Sequence, residues 1–387
     1  LLRLTSSGVS LSEYWVGVGC ATVLAVEHFN TRNATVVPEL ATLDSPLQLQ
    51  PLYLNTDSLQ AGGLTAYRAA LAAGPPHGLL GPPRSAVSVP TAQLGAIDSL
   101  PQLSYWASSP TLSDKSIYSH FGRTYPSDSV SGGLVMQTAS AFGWVNVACI
   151  YVNDVWAQGL LTVMQSWSGA NPDGAKIALA ATFNFGDATS LQQAVADVAA
   201  SHLNIIVFIV FDSDLDVLLS AADEAGLLGD EFVWICTDTT TADSPANTAN
   251  PALTAQRLAG TLALTVAPSR TEGYGRLAAV WSELTPADCA NDLFNATDAT
   301  FSTGLPPDVG AYAYNAVIAF GLAFAAAHAN GTALGDGDAI RDQLWATGFN
   351  GSTGEVRFSS ETGDLVAEGL IYALKYMQLQ DDGALVL

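Results

Sequence analysis

Basic residues are scarce in this sequence: thirteen lysines and arginines stand against thirty-six aspartates and glutamates over 387 residues, a formal net charge of −23. A field of that sign repels nucleic-acid phosphates and anionic lipid headgroups, which argues against nucleic-acid and membrane-surface roles. A solvated acidic surface explains the excess more simply than a cationic partner does. Charge of either sign is thin, at 13% of residues, while 49% are hydrophobic, so much of the chain belongs in buried helix and sheet. Cysteines number four (Cys20, Cys149, Cys236, Cys289), and no two form a Cys-x-x-Cys pair, so neither a structural zinc site nor a dithiol redox motif is indicated. Cys149 and Cys236 lie in apolar, strand-like runs and read as buried, inert thiols. The most apolar stretch, residues 311–327, is interrupted by Asn315 and Gly321; it falls short of a membrane span and reads as a buried helix.

Catalytic constellations are missing as well. There is no Gly-x-Ser-x-Gly elbow, no phosphate-binding Gly-x-x-x-x-Gly-Lys-Ser/Thr loop and no His-Glu-x-x-His, and the histidines (His28, His77, His120, His202, His328) are scattered. No enzyme, metal centre or cofactor is expected. Asp212-x-Asp214-x-Asp216 resembles the first half of a calcium loop, but Val217 stands where glycine is needed and a strand leads in, so these read as solvated helix-start carboxylates. Asp336-Gly337-Asp338 reads as a turn and helix cap. The chain opens Leu-Leu-Arg with neither Met nor a signal-peptide pattern, which suggests a piece of a longer protein.

What is present is length and alternation. A chain of 387 residues exceeds the roughly 250–300 that one core serves, so two lobes are expected. Between residues 146 and 238, apolar runs at 146–151, 178–183, 204–211 and 231–236 alternate with helical patterns at 155–168, 190–202 and 215–227. The run Ile205–Phe211 lacks polar alternation, as a parallel strand covered on both faces requires. An earlier alternation, with strands at 51–54, 78–81, 101–105 and 121–124, predicts a second parallel sheet. Another strand is expected near 260–266, then helices at 273–284, 309–328 and 338–346 and a hairpin-like pair at 354–358 and 367–377. Residues 239–256, rich in Thr, Ala, Asn and Pro, read as a surface loop. Asn-x-Ser/Thr sequons at Asn33, Asn295, Asn330 and Asn350 lean towards a secreted compartment.

The pieces GLLGPPRSAVSV, LPQLSYWASSPTLSDKSIY, FGRTYPSDS and FGWVNVACIYVNDVWAQG, together with AVEHFN and FNGSTGEVRF, resemble the receptor-family ligand-binding region. Metabotropic glutamate receptors, type-B GABA receptors, natriuretic-peptide receptors and bacterial branched-chain amino-acid-binding proteins share that region. The resemblance implies an α/β fold of the periplasmic-binding-protein type 1 kind, a two-lobed clamshell with a parallel sheet in each lobe and three hinge crossings. Lobe 1 would comprise residues 1–125 and 267–356, lobe 2 residues 126–266 and 357–387. It also implies a small amino-acid-like ligand held where the strands' carboxyl ends meet, an extracellular position, membrane attachment through a segment outside this chain, and a homo- or heterodimer formed through lobe 1. A solute-binding protein serving a transporter and the ectodomain of a receptor guanylate cyclase are the alternatives.

Candidate contacts follow residue by residue. Ser85 opens a helix after a Gly-Pro-Pro turn, where a hydroxyl and main-chain amides suit a carboxylate; a plain helix cap is the simpler alternative. Arg84 before it either strengthens anion binding or blocks it. Ser108 and Ser109 match a second set of carboxylate and amino-group contacts, and Trp106 either narrows the pocket or packs against the hinge. Asp128 and Asp238 match acids placed near a ligand ammonium, with a helix cap as the other reading of Asp128. Trp156 matches an aromatic stacked over the ligand, or is a core aromatic. Where glutamate-recognising members carry lysine, this chain has Val309, which disfavours glutamate and favours an apolar, aromatic or γ-amino acid.

Overall fold

The computed structural model describes residues 2–3, 13–237, 239–242, 244–290, 293–381 and 383–386. The chain divides into two compact units, Leu1–Ser127 with Ala267–Ile371 and Asp128–Val266 with Tyr372–Leu387, so it passes between them three times. Both are α/β, with parallel strands flanked by helices. The last passage comes after Ile371, whereas the resemblance sets it at 356; residues 357–371 stay with the first unit.

The second unit holds a six-stranded sheet in the order Tyr372–Tyr376, Leu262–Val266, Val233–Cys236, Ile205–Ile209, Asn146–Val152, Lys176–Phe183. Five strands are parallel, and Tyr372–Tyr376 closes the edge antiparallel to Leu262–Val266. The middle strand, Ile205–Ile209, is apolar throughout because helices cover both faces, so neither face can be polar. Cys149 and Cys236 are buried in this sheet as free thiols, and burial pushes the Cys149 thiol up to about 12. Two expectations fail locally. The pair 354–358 and 367–377 is no hairpin: Gly354–Arg357 pairs with Gly348–Gly351, and Tyr372–Tyr376 belongs to the second unit's sheet. The Thr/Ala-rich segment after residue 239 is not all loop. Its end forms the helix Pro251–Leu258, started by Pro251 and by the Asn250 side chain accepting from the Leu253 amide.

In the first unit, strands Leu79–Leu80, Gln102–Ser104 and Phe121–Arg123 run parallel in that order. The helix Asp308–Ala329 lies inside this unit. Its apolar composition, with 83% of its most apolar window buried, reflects burial on nearly every side. Asn315 tolerates that interior because its amide is satisfied: Nδ2 donates to Thr353 Oγ1 (2.8 Å), and Oδ1 accepts from the Ser352 amide (2.8 Å). Gly321 leaves room for the Phe29 ring, which brings the helix Glu13–Thr31 close against Asp308–Ala329. A disulfide, Cys20–Cys289, ties that first helix to the third segment within the same unit.

Between these helices His28 is buried, with Nδ1 2.7 Å from the Tyr314 hydroxyl and Nε2 3.7 Å from a Glu27 carboxylate oxygen. Burial pulls its pKa down to about 4, so the imidazole is neutral in the fold. The unfolded chain binds the extra proton between pH 6.5 and 4, so this site's contribution is complete above about 6.5 and lost as pH falls towards 4, by at most roughly 3 kcal/mol. His28→Asn, measured by urea unfolding at steps from pH 7 to 5, is expected to flatten that part of the stability profile; an unchanged slope assigns the acid sensitivity elsewhere. Cys289→Ser removes a cross-link between distant segments and is expected to lower stability by about 2–5 kcal/mol in the same assay, with the second unit's sheet intact by circular dichroism.

Candidate functional site

In parallel α/β sheets the carboxyl ends of strands run into loops that start helices, so polar main chain gathers there. In the first unit, Leu79–Leu80 ends in Gly81-Pro82-Pro83-Arg84, with a cis Gly81–Pro82 bond, and the helix Ser85–Ile97 follows. Two hydroxyls fix this turn: Ser88 Oγ and Ser104 Oγ donate to the Pro82 carbonyl at 2.6 and 2.7 Å. Ser104, the last residue of the neighbouring strand, also accepts from the Ala107 amide at 3.0 Å and so starts the next loop.

That loop returns to the helix start. The Ser109 amide donates to Ser85 Oγ at 3.2 Å, and Ser85, Ser108 and Ser109 are all buried. Ser85 is therefore used as a bridge between the two loops, while the cap position of its helix is held by the extended Arg84. The Arg84 guanidinium is half-buried and donates from Nη1 to the Ser58 carbonyl at 3.2 Å. Trp106 packs its ring on Trp15, centroids 5.2 Å apart. The first unit thus brings Ser85, Ser108 and Ser109 together, with Arg84 and Trp106 beside them in the same loops.

The second unit contributes separately. Asp128 begins the helix Asp128–Ala141, is buried, and accepts from Ser131 Oγ at 2.8 Å. Trp156 sits in the first turn of Val155–Ala170, its amide donating to the capping Asp154 side chain at 2.6 Å. Its buried ring lies 5.2 Å from Phe211, which meets Phe185 edge-on at 5.5 Å. These three aromatics follow three adjacent strands, Asn146–Val152, Ile205–Ile209 and Lys176–Phe183, so they cluster at one end of the sheet. Asp238 lies outside the described residues; Thr237 before it is buried at the end of Val233–Cys236.

Reading the sequence for ligand contacts passes over Phe185 and Phe211, although each lies at or just beyond the carboxyl end of an apolar run. It also passes over Arg123, whose signal is a cation inside an apolar strand. Arg123 is fully buried, and its Nε meets Asp364 Oδ1 at 2.6 Å. Burial alone would raise the Asp364 carboxyl, but the Arg123 guanidinium and the Ser113 hydroxyl hold it below the usual range. Among the described residues, no group of three or more His, Cys, Asp or Glu side chains could hold a metal ion.

Comparison with known proteins agrees with this architecture. The receptor family ligand binding region matches residues 18–376. The chain is also similar to metabotropic glutamate receptor-like protein E of Dictyostelium discoideum, 27% identical over 300 residues that cover 75% of this chain and 34% of that protein. It spans about a third of the length of that relative. With the match running over almost all of both α/β units, the chain belongs to the receptor family ligand-binding region.

Proposed function

We propose that this chain is the extracellular ligand-binding domain of a membrane receptor and that it recognises a small amino-acid-like molecule. The observation that carries this reading is the bond from the Ser109 amide to Ser85 Oγ at the start of a helix. It places two hydroxyl-bearing loops side by side where the helix dipole favours an anion. With its lone pair engaged by Ser109, the Ser85 hydroxyl has its proton to offer, which suits a ligand carboxylate. Ser108 belongs to the same cradle, with Arg84 and Trp106 at its margin.

The second unit supplies the complementary chemistry in this reading: Asp128 and Asp238 for an ammonium, and the ring of Trp156, supported by Phe211 and Phe185, for a cationic or apolar part. An aromatic trio disfavours a second carboxylate on the ligand, since neutral rings offer it no charge. So does buried Val309 in the first turn of Asp308–Ala329. We therefore assign an apolar, aromatic or γ-amino acid rather than glutamate. The disulfide supports an oxidising, extracellular setting, and Asn295, Asn330 and Asn350 are exposed, as glycan acceptors must be. Membrane attachment through sequence outside this chain and pairing of two domains through the first unit complete the proposal.

A thermal-shift screen of the twenty α-amino acids and γ-aminobutyrate tests it. A ligand that binds only the folded domain stabilises it by about 2.7 kcal/mol at a hundredfold excess over its dissociation constant. An apolar, aromatic or γ-amino acid is expected to give the largest shift, and Ser85→Ala and Asp238→Ala are each expected to abolish it while leaving the ligand-free domain folded, with Ser85→Ala lowering its melting temperature because the Ser109 amide loses its acceptor. Stabilisation by acidic amino acids alone overturns the ligand class; stabilisation by none overturns the reading.

A further inference from the structure

The loop carrying Ser108 and Ser109 is shaped from beneath by one side chain. Arg123 ends the strand Phe121–Arg123 and is fully buried. Its Nη1 donates to the carbonyls of Ala107 (2.8 Å) and Ser109 (2.9 Å), the two residues that flank Ser108. Nη2 donates to Ser113 Oγ at 2.5 Å, further along the same loop. Nε donates to Asp364 Oδ1, and Ser113 Oγ donates in turn to Asp364 Oδ2 at 2.7 Å, closing a ring of guanidinium, hydroxyl and carboxylate.

The geometry of the peptide bond gives this ring a consequence. In a trans peptide the N–H points opposite to the carbonyl, so drawing the Ala107 carbonyl onto Arg123 turns the Ser108 amide away from the guanidinium. The Ser109 amide is fixed independently by Ser85. A guanidinium suits this role because its planar fork spreads five donors in fixed directions, whereas an ammonium has three on a single atom. Asp364 arrives on a turn laid directly on the strand: the Arg123 amide donates to the Gly363 carbonyl at 3.1 Å. Glycine is required on both sides of that contact. A Cβ on Gly122 would stand 2.8 Å from the Gly363 carbonyl, and one on Gly363, itself at φ +61°, would stand 2.8 Å from the Phe121 carbonyl.

We propose that Arg123 and Asp364 are positioning residues for ligand recognition: Arg123 sets the peptide planes around Ser108, and Asp364 sets Arg123. The proposal rests on the reading of Ser108 and Ser109 as ligand contacts, but its test also has a part that needs no ligand. Two variants separate positioning from simple stability. Arg123→Lys keeps the buried charge beside Asp364 and loses the fork. Arg123→Met combined with Asp364→Leu removes both charges of the pair and leaves Lys115, which burial lets shed its proton; the variant is expected to fold, with its melting temperature checked against that of the parent.

Amide hydrogen exchange of residues 105–113 is expected to accelerate by about tenfold or more in both variants, with residues 146–152 of the other unit unchanged. The affinity for whichever of the twenty amino acids or γ-aminobutyrate gave the largest thermal shift is expected to fall by about tenfold or more in both, since neither variant keeps the fork. Parent-like exchange of 105–113 in the double variant, or parent-like affinity in either folded variant, overturns the proposal. If the parent domain binds no compound of the panel, the functional reading fails, while the exchange measurement still decides whether Arg123 holds the loop.

Discussion

A guanidinium sealed from water carries five N–H donors and a charge, and the first unit is arranged to meet that demand at Arg123. Carbonyls, a hydroxyl and a carboxylate converge on it from two stretches of chain that are distant in sequence: the loop that holds residues 107–109 and Ser113, and the turn at Asp364. Each takes its shape from the convergence. The serine loop turns its carbonyls inward, the glycines at 122 and 363 permit main chain to lie on main chain, and residues 357–371 remain with the first unit until Ile371. Lys115 adds to the same knot, its Nζ donating to the carbonyls of Leu112 and Phe121 at 3.0 and 2.6 Å. Burial draws that ammonium down to about 7 against the opposing pull of Asp364. One carboxylate thus answers two buried cations, which explains why it stays ionised despite its own desolvation.

The carboxyl ends of the two sheets are built from different chemistry. In the first unit they are hydroxyls and main chain: Ser85, Ser88, Ser104 and Ser109 bond to one another's loops. In the second they are rings, Trp156, Phe211 and Phe185, over helix starts capped by Asp154 and Asp187. On the proposed reading, each set has its own partner on an amino-acid-like ligand. Hydroxyls and amides bind a carboxylate strongly in a partly desolvated setting, whereas rings favour the cationic and apolar parts.

Much of this is legible in the sequence because parallel sheets impose a simple pattern. The uninterrupted run around Ile205–Ile209 can only be a strand with both faces covered, and its alternation with helical stripes fixes the fold class. Long-range pairing is less visible. That Cys20 joins Cys289, or that Tyr372–Tyr376 crosses to the edge of the second sheet, depends on contacts between residues more than a hundred positions apart, on which local periodicity is silent. The helix Pro251–Leu258 is hidden by composition, since its Thr and Ala residues give a weak stripe, yet Asn250-Pro251 carries the start signal. At the candidate site, single residues at strand ends are easy to pick out. Their supports are not: a carboxylate arriving from residue 364 to neutralise residue 123 leaves no trace in spacing.

The charge balance takes on a different meaning once the cations are located. Five of the thirteen lysines and arginines bind main-chain carbonyls: Arg32 holds those of Phe29, Ser45 and Leu47, Arg84 that of Ser58, Arg276 that of Val36, and Lys115 and Arg123 those around the serine loop. Arg257 and Arg341 are engaged with Asp223 and with Asp338 and Asp342. Some basic side chains here act as internal ties rather than as counterions to the acidic exterior. The net charge of −23 is fixed by composition; ties of this kind only decide where the few cations sit. A field of that sign raises the local concentration of cationic groups near the surface and is screened over about 8 Å at physiological salt, so it cannot choose among amino acids at close range. On the proposed reading, selection falls to short contacts, such as those of the serine hydroxyls held beside a buried arginine.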